Sequence, residues 1–201
     1  MIETNFKSEE LALVAKGREF LEQGDISAAV KCYEKAFDPE AVDETEARDM
    51  LIEARSHLSR KHFLEALESF EEALLMGTDV QRRQALDGIL GIAEVRSRVG
   101  ALTDQLAAML DEVAVESPIV KEKFVFVPQY ENVVLLARDV LEKVPGHLAR
   151  ATRISRLPQH LADQELPIET NRCVPYADEE DLRFIVELAK AVASFREPED
   201  L

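Results

Sequence analysis

A chain of 201 residues that is 46% apolar and 32% charged is long enough to bury a core in one good-sized domain or two small ones. Its formal charge of −16 argues against nucleic acid and anionic membrane surfaces as partners, since both are bound largely through Lys and Arg. Tryptophan is absent and glycine scarce while Ala, Leu and Glu abound, which favours an all-α fold over a sandwich or barrel.

No run approaches the roughly 20 apolar residues of a membrane-spanning helix. The acidic start MIETNFKSEE lacks the basic-then-apolar pattern of a secretion signal, so a cytoplasmic protein is expected. Cys32 and Cys173 form no C-x-x-C pair, and a reducing compartment suits both. Residues 1–80 hold 9 Lys plus Arg against 19 Asp plus Glu, a net −10 that leaves −6 for the rest. The acidity is densest over the N-terminal helices, as on a well-solvated helical surface.

From the N-terminus, LVAKGREFLEQGDISAAVKCYEKAF reads as a helical hairpin. Gly17 and Phe20 lie on its first helix, Gly24-Asp25 makes the turn, and Ala29, Tyr33 and Ala36 recur on the second. LIEARSHLSRKHFLEALESFEEAL reads the same way at an offset of 37 residues. Ala54 stands where Gly17 stood, Lys61-His62 replaces the Gly-Asp turn, and Ala66, Phe70 and Ala73 repeat the triplet. Small, aromatic, small at i, i+4 and i+7 puts all three on one helix face. Helices approach closely only where small residues meet, and an aromatic fills the space between successive hairpins.

On these residues the chain resembles the tetratricopeptide repeat (TPR) family, departing from it at His57, at the Lys61-His62 turn and at the family's tryptophan-like and proline-like positions. The resemblance implies a right-handed superhelix of antiparallel hairpins whose first helices line a concave groove, and a non-catalytic scaffold or adaptor that binds another protein. It places Leu11, Val14, Arg18 and Leu21 of the first repeat, with Arg48, Leu51, Arg55 and Leu58 of the second, along that groove. Arg18 and Arg55 occupy equivalent positions, so stacking would align two guanidinium groups able to take an acidic or carboxylate-bearing peptide or helix. The alternative is that both pair with neighbouring carboxylates. The family's lysine and asparagine clamp for chaperone tails is missing, since Val14, Arg18, Leu51 and Ile52 stand at or near its places. Size, acidity and repeat content also resemble a dedicated bacterial secretion chaperone holding one client.

Residues 80–98 (Leu86, Ile89, Leu90, Ala93, Val95) and 103–115 (Leu106, Met109, Leu110, Val113) read as a third, degenerate hairpin broken at Gly100. Gly88 and Gly91 are expected at close helix contacts. With this hairpin the repeats span 1–115. Residues 116–157 suggest a further hairpin or degenerate repeat. It would start at Ser117-Pro118, place Phe124, Tyr130 and Pro145 in the family register, and continue through the helices NVVLLARDVLEKV and HLARATRISRL. Against it, KFVFV alternates like a strand and Pro128 limits the element. Arg150, Arg153 and Arg156, spaced by three on one helix, form a basic stripe for an acidic partner or, preferably, for the chain's own acids, in the N-terminal half or at Asp178–Asp181.

Residues 158–201 read as a proline-rich connector followed by a helix that Asp178 caps and Glu179, Glu180 and Asp181 favour. Its apolar face, Leu182, Ile185, Val186, Leu188, Ala189 and Val192, is expected by default to cap the stack, the alternative being to dock on a partner, and the closing EPEDL to fray.

No catalytic set, cofactor motif or metal site emerges. His57 and His62 at i, i+5 miss the one-face spacing of helical ligands, the H-x-x-D-x-E string of His160, Asp163 and Glu165 reads as surface, Cys32 reads as core, and Cys173 as a loop thiol. The chain is not expected to be an enzyme. The reading of another class is an enzyme or ligand sensor with its site in 116–177. Self-association through the ends of the stack is also open.

Overall fold

The computed structural model describes residues 8–37, 41–127, 132–144 and 146–195. The expectations placed on Pro128, Tyr130, Pro145 and the final EPEDL lie outside these residues. The chain is mostly helical, as its composition predicts, and divides into two compact units: 1–59 with 63–97, and 60–62 with 98–201.

The first unit holds α1 (Ser8–Glu22), α2 (Ile26–Lys35), α3 (Glu44–Ser59), α4 (Phe63–Met76) and the first half of α5 (Asp79–Glu116). α1 packs on α2, and α3 on α4. Each triplet is buried as its spacing requires: Ala29, Tyr33 and Ala36 are 0% exposed, and Ala66, Phe70 and Ala73 are 0–3% exposed. Gly24 turns the chain at φ 78°, and Asp25 caps α2 by accepting the Ala28 amide at 2.9 Å. Thirty-seven residues on, Lys61 takes the same left-handed conformation at φ 61°.

α4 buries ten of its fourteen residues and is the centre of the unit. Tyr33 and Arg18 reach it from α2 and α1 through Glu71, and α5 crosses it where the Phe70 ring lies over Gly88. A Cβ at Gly88 would collide with that ring, whereas Gly91, three residues on, has nothing within 4 Å. Close packing therefore explains Gly88 and not Gly91.

The break expected at Gly100 is absent, for α5 runs unbroken over 38 residues. One glycine costs a helix about 1 kcal/mol, and here it is flanked by the helix-compatible Val99, Ala101 and Leu102.

The second unit departs further from expectation. It contains a four-stranded antiparallel sheet, order β1-β2-β4-β3, made of β1 (Phe124–Phe126), β2 (Val133–Leu136), β3 (Ser155–Arg156) and β4 (Arg172–Pro175). The short helices α6 (Ile119–Lys123), α7 (Arg138–Lys143), α8 (Gly146–Ala149) and α9 (Gln159–Ala162) connect it, and α10 (Glu179–Ala193) closes the described chain. The alternation of KFVFV was the correct signal, and Phe124 sits on a strand, so the helical hairpin expected over 116–157 is not formed. NVVLL is strand rather than helix because β2 is buried on both faces, which erases the alternation that marks a half-exposed strand. The supposed connector supplies β4, one of the two inner strands. Val133, Leu135, Leu161 and Cys173 form a core cluster, with Val125, Val127, Leu157, Leu166 and Ile168 packed against it. Asp178 caps α10 as expected, accepting the Asp181 amide at 3.0 Å, and Leu182, Ile185, Val186, Leu188, Ala189 and Val192 are all buried.

Candidate protein-binding surface

Each residue placed along the groove occupies a helix face set by its repeat, but the faces are not equally open. Val14 and Leu51 are 8% and 4% exposed. Both belong to the core of the unit, and neither offers open groove surface, because each stands on the side of its helix that packs inward. Leu21 and Leu58 are half-buried, while Leu11, Arg48 and Arg55 are exposed.

The two equivalent arginines have different partners. Arg18 turns inward, its Nε donating to Glu71 Oε1 at 3.4 Å, its Nη2 donating to Glu71 Oε2, and its Nη1 standing 3.7 Å from Glu68. The Tyr33 hydroxyl donates to the same Glu71 Oε1 at 2.8 Å. A carboxylate taking three charge-assisted or hydroxyl hydrogen bonds is well satisfied, which is why Glu71 is tolerated at 3% exposure. Burial still pushes its carboxyl above the ordinary range, with Arg18 and Tyr33 pulling the other way. The same burial, and the nearby Glu71 charge, push the Tyr33 phenol far up. Arg55 faces outward and donates only a long 3.5 Å hydrogen bond to Gln84 of α5. An incoming carboxylate would have to displace Glu71 to reach Arg18, but could meet Arg55 directly.

At least two clefts open on the described residues of this unit. One, of about 420 Å³, is lined by Leu21, the Gln23-Gly24 turn, Leu67, Ile92 and Arg96, and gives Leu21 a role beside α5 that the spacing of α1 alone does not show. A second, of about 290 Å³, includes Tyr33, Leu74, Arg82, Arg83 and Leu86. Arg82 stacks 3.8 Å from the Phe37 ring centre and donates to the Glu34 carbonyl at 3.3 Å, and burial pulls its pKa down. Arg82, Arg83 and Arg96 were missed by the repeat register because they follow its last clear copy. A basic pair opening a helix in so acidic a chain was the available signal.

The basic stripe is corrected. α8 ends at Ala149, so Arg150, Arg153 and Arg156 share no helix: Arg150 and Arg153 follow α8 in irregular chain and Arg156 lies in β3. Propensity does not forbid a helix here, since Arg150, Ala151, Arg153 and Arg156 are good helix formers; the strand pairing of Ser155 and Arg156 with Cys173 and Arg172 of β4 overrides it. Arg153 does what the intramolecular reading required, pairing with Glu180 and standing 3.6 Å from the buried Asp181. Lys61 joins Asp181 and reaches Asp178 at 3.4 Å.

His57 stands 3.2 Å from Glu65 and 3.6 Å from Glu53, and His62 lies in the turn after α3, so the helical spacing argument does not govern that pair. His160 is half-buried in α9. Cys32 is half-buried on α2, and Cys173 is a buried strand residue rather than a loop thiol.

Among the described residues no helix is long and apolar enough to cross a membrane. No family model, curated protein or solved structure matches the chain.

Proposed function

We propose that the protein is a non-catalytic binding scaffold whose N-terminal unit, a TPR-like array of hairpins following a right-handed superhelical path, takes a segment of another protein. The observation that carries this reading is one packing device used twice at an offset of 37 residues, with the triplets Ala29, Tyr33, Ala36 and Ala66, Phe70, Ala73 buried and a left-handed turn before each. Repeats that stack in this way present continuous surfaces suited to extended partners. The receiving surface is formed by Arg55, Leu58, Leu21 and the 420 Å³ cleft beside Leu21, and the partner is an acidic peptide or an amphipathic helix with an acidic edge, paired to Arg55.

The test is site-specific photo-crosslinking in cells. A crosslinker at Leu58 or Leu21 is expected to trap a discrete partner that a crosslinker at the exposed Lys31 does not, and Arg55→Glu is expected to abolish the adduct at equal folded content. Equal trapping from Lys31, or an adduct indifferent to Arg55→Glu, refutes the proposal.

A further inference from the structure

Outside the helical unit, Arg156 of β3 and Arg172 of β4 are directly opposed partners in the antiparallel ladder. The next pair along, Leu157 and Asn171, carries a ladder hydrogen bond from the Leu157 amide to the Asn171 carbonyl at 3.2 Å. Arg156 and Arg172 therefore form a non-hydrogen-bonded pair, the kind that holds side chains closest, about 4.5–5.5 Å between Cβ atoms. Like charges directly opposed in that way destabilise a sheet. Acids outnumber bases 40 to 24 in this chain, yet among the described residues neither guanidinium meets a carboxylate, while Arg138 and Arg153 both do. Both arginines line an open cleft of about 700 Å³ together with Leu157, Gln164, Leu166 and Ile168. The one acid on its wall, Glu169, is held by Arg138 at 2.9 Å.

The geometry points to a small-molecule oxyanion site in which Arg156 and Arg172 together clamp a carboxylate or phosphate group, with room in the cleft for an attached apolar body. Two planar forks converging on one oxyanion supply the bidentate bonds that Lys would not, and the ligand's charge offsets the repulsion between the two opposed guanidinium groups. The cleft lies within the range of small-molecule sites, about 300–1,000 Å³. β3 is the edge of the sheet and only two residues long, so the pair is reached from solvent. This site is separate from the protein-binding surface proposed above and goes beyond that reading, making the chain a scaffold that also senses a small anion.

The experiment is a titration of the full chain with inorganic phosphate, and in parallel with octanoate, followed by nitrogen-15 NMR of backbone amides and arginine Nε–H groups. Saturable shifts are expected at Arg156, Leu157, Asn171 and Arg172, with octanoate adding shifts at Leu166 and Ile168. Arg172→Gln or Arg156→Gln is expected to weaken binding at least about tenfold, one charge-assisted contact being lost. Arg150→Gln, at an exposed arginine outside the cleft, is expected to leave binding unchanged. The Gln variants are also expected to melt no lower than wild type without anion and to lose the anion-induced rise in Tm. Non-saturating shifts, an Arg150→Gln loss equal to that of Arg172→Gln, or an anion-induced rise in Tm retained in the Gln variants overturns the proposal.

Discussion

Replacing Gly88 and Gly91 by alanine, one at a time, separates packing from helix propensity on a single helix. Both lie in α5, three residues apart, and each Gly→Ala change in a helix interior gains about 1 kcal/mol from propensity. At Gly91 nothing lies within 4 Å of the new Cβ, so that gain is realised in full. At Gly88 the Cβ meets three atoms of the Phe70 ring, itself 3% exposed, and overpacking of this kind costs about 1–3 kcal/mol. Gly91→Ala is therefore expected to stabilise by about 1 kcal/mol, and Gly88→Ala to range from neutral to about 2 kcal/mol destabilising. The measurement is urea denaturation followed by helical circular dichroism, supported by melting temperature at about 2–4 °C per kcal/mol for a chain of this size. Adding Phe70→Leu to Gly88→Ala should recover part of the loss, a coupling that distant sites do not show. If Gly88→Ala stabilises as much as Gly91→Ala, α4 and α5 do not meet through this small-to-aromatic contact and the packing logic of the unit fails.

Tyr33→Ala and Phe70→Ala are each expected to cost about 3–5 kcal/mol by cavity formation, and a loss below about 1 kcal/mol in denaturant titrations would remove both rings from the core. Burial raises the Glu71 carboxyl in the folded state, so its contribution to stability is present below the unfolded value and declines as pH rises through the folded one. Denaturation midpoints from pH 4 to 8 should accordingly show wild type losing stability relative to Glu71→Gln as pH increases, and the opposite slope would mean that Arg18 and Tyr33 outweigh burial. The hydrogen bond from Lys123 lowers the Asp139 carboxyl, which adds stability above the unfolded value that is lost as pH falls; Lys123→Met should shallow the acid limb of the stability profile. Lys61→Gly relieves the left-handed backbone by about 1 kcal/mol but removes a cation from buried Asp181, so it should destabilise less than Lys61→Met, as equilibrium unfolding can show.

The helical unit was legible in the sequence because its information is periodic. Small and aromatic residues at fixed spacing say which face packs, and the second copy removes the ambiguity of the first. The sheet was not legible, for a physical reason visible in β2: Val133 to Leu136 are all buried, so the run loses the alternation of a one-sided strand and carries only apolarity, which a helix shares. β3 is two residues long and leaves no pattern at all. Among the candidate residues, Arg18 and Arg55 could be placed on their helices but their directions could not be read, since Arg18 turns inward because Glu71 stands opposite on α4, a relation between residues 53 apart. The spacing of Arg150, Arg153 and Arg156 suggests one helical stripe, whereas Ser155 and Arg156 pair with the later strand β4, a partner that local spacing does not reveal.

The turn at Lys61 shows how far a repeat constrains its second copy where that copy departs in sequence from the first. Gly24 reaches φ 78° at no steric cost, and the 37-residue offset assigns the same conformation to Lys61, which adopts it at φ 61° despite its side chain. A non-glycine residue keeps such a conformation only where its surroundings over-determine it. Here the constraint comes from both sides: the stacked faces of α3 and α4 fix the path of the turn, and the lysine ammonium is engaged by Asp181 and Asp178. The glycine of the first turn is thus a purely local solution. The lysine of the second accepts backbone strain in return for neutralising a carboxylate that is 1% exposed, so its departure from the repeat pattern marks a tertiary contact that the pattern itself could not foretell.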